Sequence, residues 1–263
     1  MDDISARVAR LELPWNEFGT DPYGISQRHL VRAFTILKPF YEHYFKVRTS
    51  GLSNIPARGR AMLVGNHSGG IAIDGAITIA ACFFDLEPPR LVQGMADKFI
   101  NRSPFSSLWS SRLGQFTGLP EHALRLLSED RLLLVFPEGA RGTAKLFRER
   151  YDLVDFGTGF MRLAMRAKAP ILPFAFLGGG EAVPTIRNSK RLGKLLGAPY
   201  VPLTPYVLPL PLPVTVDLHV SEPMWFEGTG NEDDRVVQEN VDKVKARIAG
   251  MLDVGYKQRL GLA

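Results

Sequence analysis

The sequence predicts an α/β fold: a single domain with a central mixed sheet flanked by helices, plus an N-terminal helical segment and a C-terminal helix. Apolar stretches of strand length alternate with amphipathic stretches of about ten to fifteen residues, which is typical of layered α/β proteins. The chain has 263 residues, enough to bury a substantial core. We expect the main domain to span residues 47–225, between an N-terminal segment 1–46 and a C-terminal segment 226–263 that contains the last helix.

The N-terminal segment is predicted to be irregular up to residue 24 and helical over residues 25–46. In that helix, apolar residues recur at helical spacing on one side and basic residues occupy the other, and Pro39 should bend or divide it. The helix either packs on the main domain or lies at a bilayer interface, which would make the segment membrane-facing. The apolar residues are Leu30, Phe34, Leu37 and Tyr41, and the basic residues are Arg28, Arg32, Lys38 and Lys46.

Predicted strands and helices then alternate along the main domain. The strand over residues 131–137, "RLLLVFP", is apolar on both faces and is therefore expected to be buried in the sheet. The other predicted strands are 46–52, 61–66, 90–95, 170–178 and 213–223, and the predicted helices are 74–84, 104–112, 119–130 and 157–169. An amphipathic helix over 231–252 closes the series, with acidic residues first and basic residues last, as the helix dipole favours.

A long insert, residues 181–213, separates the last two predicted strands. Its first part, "RNSKRLGKLLG", is basic, and its second part, "APYVPLTPYVLPLPLPV", is apolar and rich in proline. This combination suits a surface that contacts lipid, and a rigid proline loop that covers the core is an equal alternative.

Composition and charge narrow the range of partners. The formal net charge of +5 favours an anionic partner, either a membrane surface or a phosphorylated small substrate. No helix-turn-helix, zinc or RNA-binding signature accompanies this charge, so we expect no nucleic-acid partner. The N-terminus lacks the apolar stretch of a secretory signal, and no window approaches ~18 uninterrupted apolar residues. We therefore expect a cytoplasmic protein, peripheral on the inner face of the membrane, whose single cysteine, Cys82, is buried.

Several common catalytic sites are set aside because their residues are missing. The chain has no G-x-S-x-G for a nucleophilic serine, and no C-x-x-C or H-E-x-x-H to bind zinc. The stretch "FPEGARGTAK" lacks the spacing of a phosphate-binding P-loop, and "FLGGGEAVP" lacks a dinucleotide fingerprint.

The first candidate loop, "LVGNHSGGIAIDG" at residues 63–75, follows an apolar strand. Of the five histidines, only His67 stands beside glycines at a strand end with a carboxylate, Asp74, close in sequence. An imidazole removes a proton from an alcohol near neutral pH, and a carboxylate on its far nitrogen fixes the useful tautomer. The alternative is a structural corner, in which Asn66 and Ser68 bind backbone donors and Asp74 caps a helix.

The second candidate loop, "LLLVFPEGARGTAK" at residues 132–145, also follows a strand. It contains Glu138, Gly139, Arg141 and Lys145 within eight positions. Glycine allows the backbone to approach a ligand, and the arginine and lysine offer charge-assisted hydrogen bonds to phosphate. The alternative is a polar turn whose ions pair with one another. Because ligands gather at the carboxyl ends of strands in open α/β sheets, the two loops together predict one site.

These two loops resemble the motifs of the glycerolipid acyltransferase superfamily, N-H-x4-D followed by F-P-E-G-T-R-S, here "NHSGGIAID" and "VFPEGARG". "MADKFINRSPF" and "APILPFAF" resemble two further blocks of that family, and the resemblance covers about residues 47–222. It implies an O-acyltransferase that moves a fatty acyl group from acyl-CoA, or from acyl carrier protein, to a hydroxyl of glycerol or of a lysolipid. It also implies direct attack without an acyl-enzyme, and no metal or bound cofactor.

The resemblance implies roles for the residues of both loops. His67 would be the general base on the acceptor hydroxyl, and Asp74 its partner. Arg141 would bind the phosphate of the acceptor. The predicted substrate-binding set is Asn66, Glu138, Gly139, Arg141 and Lys145.

Three departures from the family pattern bear on the acceptor. Six residues, "SGGIAI", separate His67 from Asp74 where the pattern has four, and this longer spacer resembles the monoacylglycerol and diacylglycerol acyltransferase-like branch. The second motif has "ARG" in place of "TRS", which removes a hydroxyl that could contact substrate, and whether Thr143 replaces it is left open. The second block lacks its usual arginine in "LGQFTGLPEHA", and the candidate replacements are Lys98, Arg102 and Arg125.

The sequence therefore predicts acylation of a lysophospholipid such as lysophosphatidate and leaves three alternatives open. One is acylation of a neutral acceptor, such as monoacylglycerol or another lipid alcohol, which the missing arginine leaves open. Another is a lipid-binding protein that keeps the fold without the chemistry. The third is an esterase or thioesterase, in which water replaces the acceptor in the same site.

Overall fold

The computed structural model describes residues 2–96, 110–207 and 210–262, and within them a seven-stranded mixed sheet is flanked by helices. The strands are β1 Arg48–Ser50, β2 Ala61–Gly65, β3 Val92–Ala96, β4 Phe116–Thr117, β5 Leu132–Val135, β6 Ile171–Leu177, β7 Arg187–Ser189, β8 Val201–Leu203 and β9 Asp217–Val220. The helices are α1 Asp2–Ala9, α2 Gln27–Pro39, α3 Ile73–Phe84, α4 Pro120–Ser128, α5 Ala140–Thr143, α6 Gly159–Ala167, α7 Gly179–Ala182, α8 Lys190–Leu196 and α9 Asp234–Arg259. The predicted helix 104–112 lies largely outside the described residues.

The sheet runs in the order β1-β9-β6-β2-β5-β3-β4, and β7 pairs with β8 in a separate two-stranded sheet. β2 lies in the middle and is parallel to both of its neighbours, β5 and β6. β9 runs antiparallel to β6, which makes the sheet mixed, as predicted. The middle strands are apolar because neither face of them meets solvent: in β2, Met62 and Val64 join the core on one face, and Ala61 and Leu63 join the core on the other.

The last helix, α9, is 26 residues long and packs against β6 and α6. Its first backbone groups are capped by Asp233, whose side chain accepts from the N–H of Arg235 at 2.9 Å. Its buried residues recur at helical spacing: Val237, Val241, Val244, Ile248 and Leu252. Across the described ranges, no helix is both long enough and apolar enough to cross a membrane.

The predicted helix of the N-terminal segment packs on the main domain, which is one of its two predicted alternatives. Phe34 is buried and stacks on Phe83 of α3, with ring centroids 3.7 Å apart. Pro39 is the last residue of α2, and a π-helical turn, Phe40–Tyr44, follows it. The proline therefore divides the segment, as expected for a residue that cannot donate a backbone hydrogen bond.

The prediction of an irregular start was wrong, because residues 2–9 form α1. Ile4 and Val8, four residues apart on one side of this helix, are buried, and α1 packs against α2. A helix this short is marginal in isolation, so its stability comes from this tertiary packing.

The insert is a folded unit attached to the sheet. β7 and β8 pair antiparallel on either side of α8, which Ser189 caps by accepting from the N–H of Leu192 at 3.3 Å. The proline-rich part that follows is tied to the N-terminal segment, since Tyr44 Oη donates to the carbonyl of Pro211 at 2.7 Å. The insert therefore has a defined shape, with β7 and β8 that its sequence did not predict.

Cys82 is fully buried in α3, as predicted. Burial raises the pKa of its thiol to about 12. The thiol therefore stays protonated at neutral pH and is a poor nucleophile.

Gly65, the last residue of β2, lies against the ring of Phe174, and a Cβ there would sit 2.3 Å from a ring carbon. We expect Gly65→Ala to lower the free energy of unfolding by about 1–3 kcal/mol, because the overpacked strand must shift. Gly250→Ala in α9 is the matched control, since a Cβ there meets nothing within 4 Å. That change should be neutral or stabilising by up to ~1 kcal/mol. Urea unfolding followed by circular dichroism measures both, and equal effects would contradict the packing described.

Candidate active site

The parallel register of β2 and β5 brings the two predicted loops together. Val64 pairs with Val135, and the same offset carried three residues further sets His67 opposite Glu138. The backbone N–H of His67 donates to Glu138 Oε1 at 2.8 Å, so the two loops are bonded directly. Both loops leave the carboxyl ends of adjacent parallel strands, which is where open α/β sheets bind ligands.

The side chain of Asn66 continues the backbone hydrogen bonding between β2 and β6. Its Nδ2 donates to the carbonyl of Phe176 at 2.9 Å, and its Oδ1 accepts from the N–H of Phe176 at 2.8 Å. The side chain is fully buried, and its amide is bonded to backbone as the structural-corner alternative expects. A contact between Asn66 and substrate stays a prediction.

Asp74 binds His67 through a hydrogen bond of 2.7 Å between His67 Nδ1 and Asp74 Oδ2. The carboxylate is fully buried in the first turn of α3, where the helix dipole favours a negative charge. It also accepts from the backbone N–H groups of Ser68 and Gly75, each at 2.8 Å. The N-cap of α3 is Ala72, so Asp74 is not the cap that the structural alternative expects.

The His67 ring lies flat on Phe136, with centroids 4.1 Å apart and planes 12° apart. Because a carboxylate only accepts, the proton of the bond to Asp74 lies on Nδ1, and the ring's lone pair lies on Nε2. The side chain is 13% exposed, and within the described ranges nothing is bonded to Nε2. This is the tautomer and the accessibility that a general base for a hydroxyl group requires.

Glu138 and Lys145 form a buried ion pair, with side chains 0% and 3% exposed. Lys145 Nζ lies 2.9 Å from Glu138 Oε2 and donates to the carbonyl of Asp152 at 2.8 Å. Glu138 Oε2 also accepts from the N–H of Val154 at 2.9 Å. The alternative of ions that pair with one another therefore describes these two residues, and a contact of either with substrate stays a prediction.

Two glycines allow this close packing. Gly139 has φ 56° and ψ −150°, a conformation open essentially to glycine alone, and it makes the turn into α5. At Gly142, a Cβ would lie 2.7 Å from the Cβ of His67 and 2.8 Å from the Cβ of Glu138. The predicted ligand contact of Gly139 stays a prediction, and what the structure shows is its part in the turn.

Arg141 lies in α5 and is exposed. Its Nη2 donates to the carbonyl of Asp155 at 2.9 Å. No carboxylate in the described part of the chain pairs with it. Of the two predicted phosphate-binding cations, Arg141 is therefore available to an anion, whereas Lys145 is already paired.

Tyr200, in the insert, contacts the second loop and was not predicted from the sequence. Its hydroxyl donates to Thr143 Oγ1, and that oxygen's own proton is directed at the carbonyl of Ala140, 3.2 Å away. Burial raises the pKa of the Tyr200 phenol, and the negative charge of Asp74 acts in the same direction. The hydroxyl of Thr143, the candidate substitute for the missing one, is thus bonded within the protein. No motif spacing relates a tyrosine in the insert to these loops, so the sequence offered no signal for it.

Only one of the three candidate replacements for the second-block arginine lies in the described residues. Arg125, on α4, lies 3.5 Å from Glu129, and its guanidinium lies 5.4 Å from the centre of the Tyr23 ring. Lys98, Arg102 and most of the block "MADKFINRSPF" are outside the described ranges.

Comparisons with known proteins place these loops in a family. The model of the family described as Acyltransferase matches residues 46–177, which include both loops. A protein of Mycobacterium tuberculosis, named as uncharacterized, is 34% identical over 244 residues, 89% of this chain and 67% of that protein. The human protein named DGAT1/2-independent enzyme synthesizing storage lipids is 32% identical over 124 residues, 47% of this chain and 37% of that protein.

A solved structure shares the fold. It is the 1-acyl-sn-glycerophosphate (LPA) acyltransferase PlsC from Thermotoga maritima, with a TM-score of 0.54 and 16% identity over 86% of this chain and 80% of that one. At 16% identity this similarity shows a shared fold and nothing more. The family model, in contrast, matches half of the sequence of this chain. The chain therefore belongs to the Acyltransferase family that this model describes, in agreement with the resemblance of its two motifs to the glycerolipid acyltransferase superfamily.

Proposed function

We propose that this protein transfers a fatty acyl group from a thioester of coenzyme A or of acyl carrier protein to a hydroxyl of a lysophospholipid such as lysophosphatidate. The observation that supports it most is the 2.7 Å bond from His67 Nδ1 to Asp74 Oδ2, which leaves Nε2 to accept a proton. The exposed Arg141 adds a charge suited to the phosphate of such an acceptor.

In the proposed reaction, His67 Nε2 takes the proton of the acceptor hydroxyl while that oxygen attacks the thioester carbonyl carbon. A C–O bond forms, the C–S bond breaks, and the imidazolium returns the proton to the departing thiolate. Asp74 stabilises the transient imidazolium, and no acyl-enzyme forms. The products are the acylated lipid and a free thiol.

In this proposal Glu138 and Lys145 hold the two loops of the site in position. Glu138 holds the backbone of His67, and Lys145 neutralises Glu138 and reaches the 152–154 segment. A buried, fully hydrogen-bonded pair of this kind fixes one arrangement of the two loops.

A neutral acceptor, such as monoacylglycerol, is the second candidate. It is favoured by the six-residue spacer between His67 and Asp74 and by the similarity to the storage-lipid enzyme over 47% of this chain. In either case the acceptor is a lipid, and we propose that the protein acts as a peripheral protein at the inner face of the membrane.

The first experiment is release of free thiol from long-chain acyl-CoA or acyl carrier protein thioesters, with and without lysophosphatidate and monoacylglycerol. We expect acceptor-dependent release that falls roughly 10²- to 10⁴-fold in His67→Ala and in Asp74→Asn, because each removes part of the general base. Thermal unfolding by circular dichroism verifies that both variants fold.

Two results would contradict this proposal. Thiol release that needs no acceptor would identify a thioesterase. No release from either donor, with lipid binding intact in His67→Ala, would identify a lipid-binding protein.

We expect Arg141→Ala to raise the apparent KM for a phosphorylated acceptor roughly tenfold or more, because a charge-assisted hydrogen bond is lost, and to leave the KM for monoacylglycerol unchanged. Arg235→Ala is the matched control, an 84% exposed arginine at the start of α9. Steady-state kinetics with both acceptors measure the effect. An equal KM for lysophosphatidate in the wild type and Arg141→Ala would reject the assignment.

We expect Glu138→Gln to lower the free energy of unfolding by roughly 3–5 kcal/mol, since it leaves the buried ammonium of Lys145 without its counter-charge. Pairing it with Lys145→Met should recover much of that loss, because no buried charge remains. Denaturant unfolding of the single and double variants measures the difference. A raised KM for the acceptor at unchanged stability would instead show that Glu138 binds substrate.

A further inference from the structure

The insert between β6 and β9 is unlike the rest of the chain in its charge. Residues 182–216 contain no aspartate or glutamate, and they carry four cations, Arg187, Lys190, Arg191 and Lys194. All four are exposed. The acidic residues that flank this stretch are already engaged: Glu181 lies 3.1 Å from Arg150, and Asp217 lies 2.6 Å from Arg48.

Large apolar side chains are exposed among these cations. Leu195 is 80% exposed, Ile186 is 59% exposed and Leu192 is 42% exposed. Leu192 and Leu195 are three residues apart on α8 and therefore neighbours on its surface. The side of α8 that faces the protein is marked by Gly193, where a Cβ would lie 2.6 Å from the Cα of Tyr200. The leucines thus point away from the core instead of covering it.

We propose that the docking face, defined as Ile186, Arg187, Arg191, Leu192, Lys194 and Leu195, binds the surface of an anionic phospholipid bilayer. Cations attract the headgroups, and the three apolar side chains enter the boundary between headgroups and acyl chains. A dissolved phosphate or a nucleic acid would use the cations and leave the leucines in water. The exposed cations and the exposed apolar side chains together therefore favour a lipid surface as the partner.

The docking face is joined to the site by short contacts. Asn188 Nδ2, in β7, donates to the carbonyl of Ala144 at 2.5 Å, immediately after α5. Tyr200, against which α8 packs, donates to Thr143. On the first loop, a Cβ at Gly70 would lie 3.0 Å from Pro202 in β8. The insert that carries the docking face is therefore in direct contact with the loops that hold His67 and Arg141.

This proposal rests on the proposed function in one respect, because a lipid acceptor is the reason for the protein to bind a membrane. Binding to vesicles itself requires no turnover. The experiment is co-sedimentation of the full chain with vesicles of phosphatidylcholine alone or with about one third phosphatidylglycerol. The charge variant is Arg187→Ser with Arg191→Ser and Lys194→Ser, and the apolar variant is Leu192→Ser with Leu195→Ser. The matched control is Arg28→Ser with Arg32→Ser and Ile36→Ser, on the exposed side of α2, which is the other predicted membrane-facing surface.

We expect the wild type to prefer the anionic vesicles and to lose affinity as salt is raised. Each docking-face variant should bind them about tenfold or more weakly, at unchanged melting temperature and with unchanged turnover of an acceptor presented in detergent. The α2 control should bind as the wild type does. His67→Ala should also bind as the wild type does, so a failure of the proposed function leaves this result readable.

Three outcomes would overturn the proposal. The first is equal vesicle binding by the wild type and both docking-face variants. The second is a loss confined to the α2 control, which would assign docking to that helix. The third is a dimer in size-exclusion chromatography that the apolar variant abolishes while vesicle binding is unaffected, which would assign the docking face to a second copy of the chain.

Discussion

The carboxylate of Glu138 is the group on which the geometry of the site depends. It accepts from the backbone N–H of His67, from the N–H of Val154 and from the ammonium of Lys145. A strand end, a neighbouring strand end and a later loop therefore meet at one buried charge. Because the carboxylate is fully buried, leaving it or one of its donors without a hydrogen bond would lower the stability of the fold. The three segments therefore have one favourable arrangement relative to each other.

The two carboxylates of the site, those of Asp74 and Glu138, bind different atoms of His67. Asp74 accepts from two backbone N–H groups and from the imidazole of His67, so its carboxylate is held in place against that ring. The hydrogen bond of Glu138 to His67 is made by the backbone N–H of His67. Both side chains are fully buried, yet only one of them bonds to the His67 ring. Asp74 therefore orients the ring of His67, whereas Glu138 fixes the position of its backbone.

The sequence predicted the sheet and the pairing of the two loops because both follow from strong local signals. Strands such as β2 are wholly apolar, and the residues of the two loops resemble known motifs, although six residues instead of four separate His67 from Asp74. The burial of Glu138 and Lys145 was not predictable, because a polar turn has the same sequence pattern whether its charged side chains point inward or outward. Tyr200 was missed because its contact depends on how β7, α8 and β8 fold back, and strands of three residues carry little periodic signal. α1 was missed because its stability comes from packing.

The burial of Cys82 has a practical consequence for studying this chain. It is the single cysteine of the protein, and its raised pKa keeps it protonated inside α3. A colorimetric reagent for free thiols should therefore react with the thiol that the proposed acyl transfer releases much faster than with Cys82 of the folded protein. The natural sequence also serves directly as a background for site-directed labelling, because a cysteine introduced on α8 would be the one accessible position for a fluorophore or spin label.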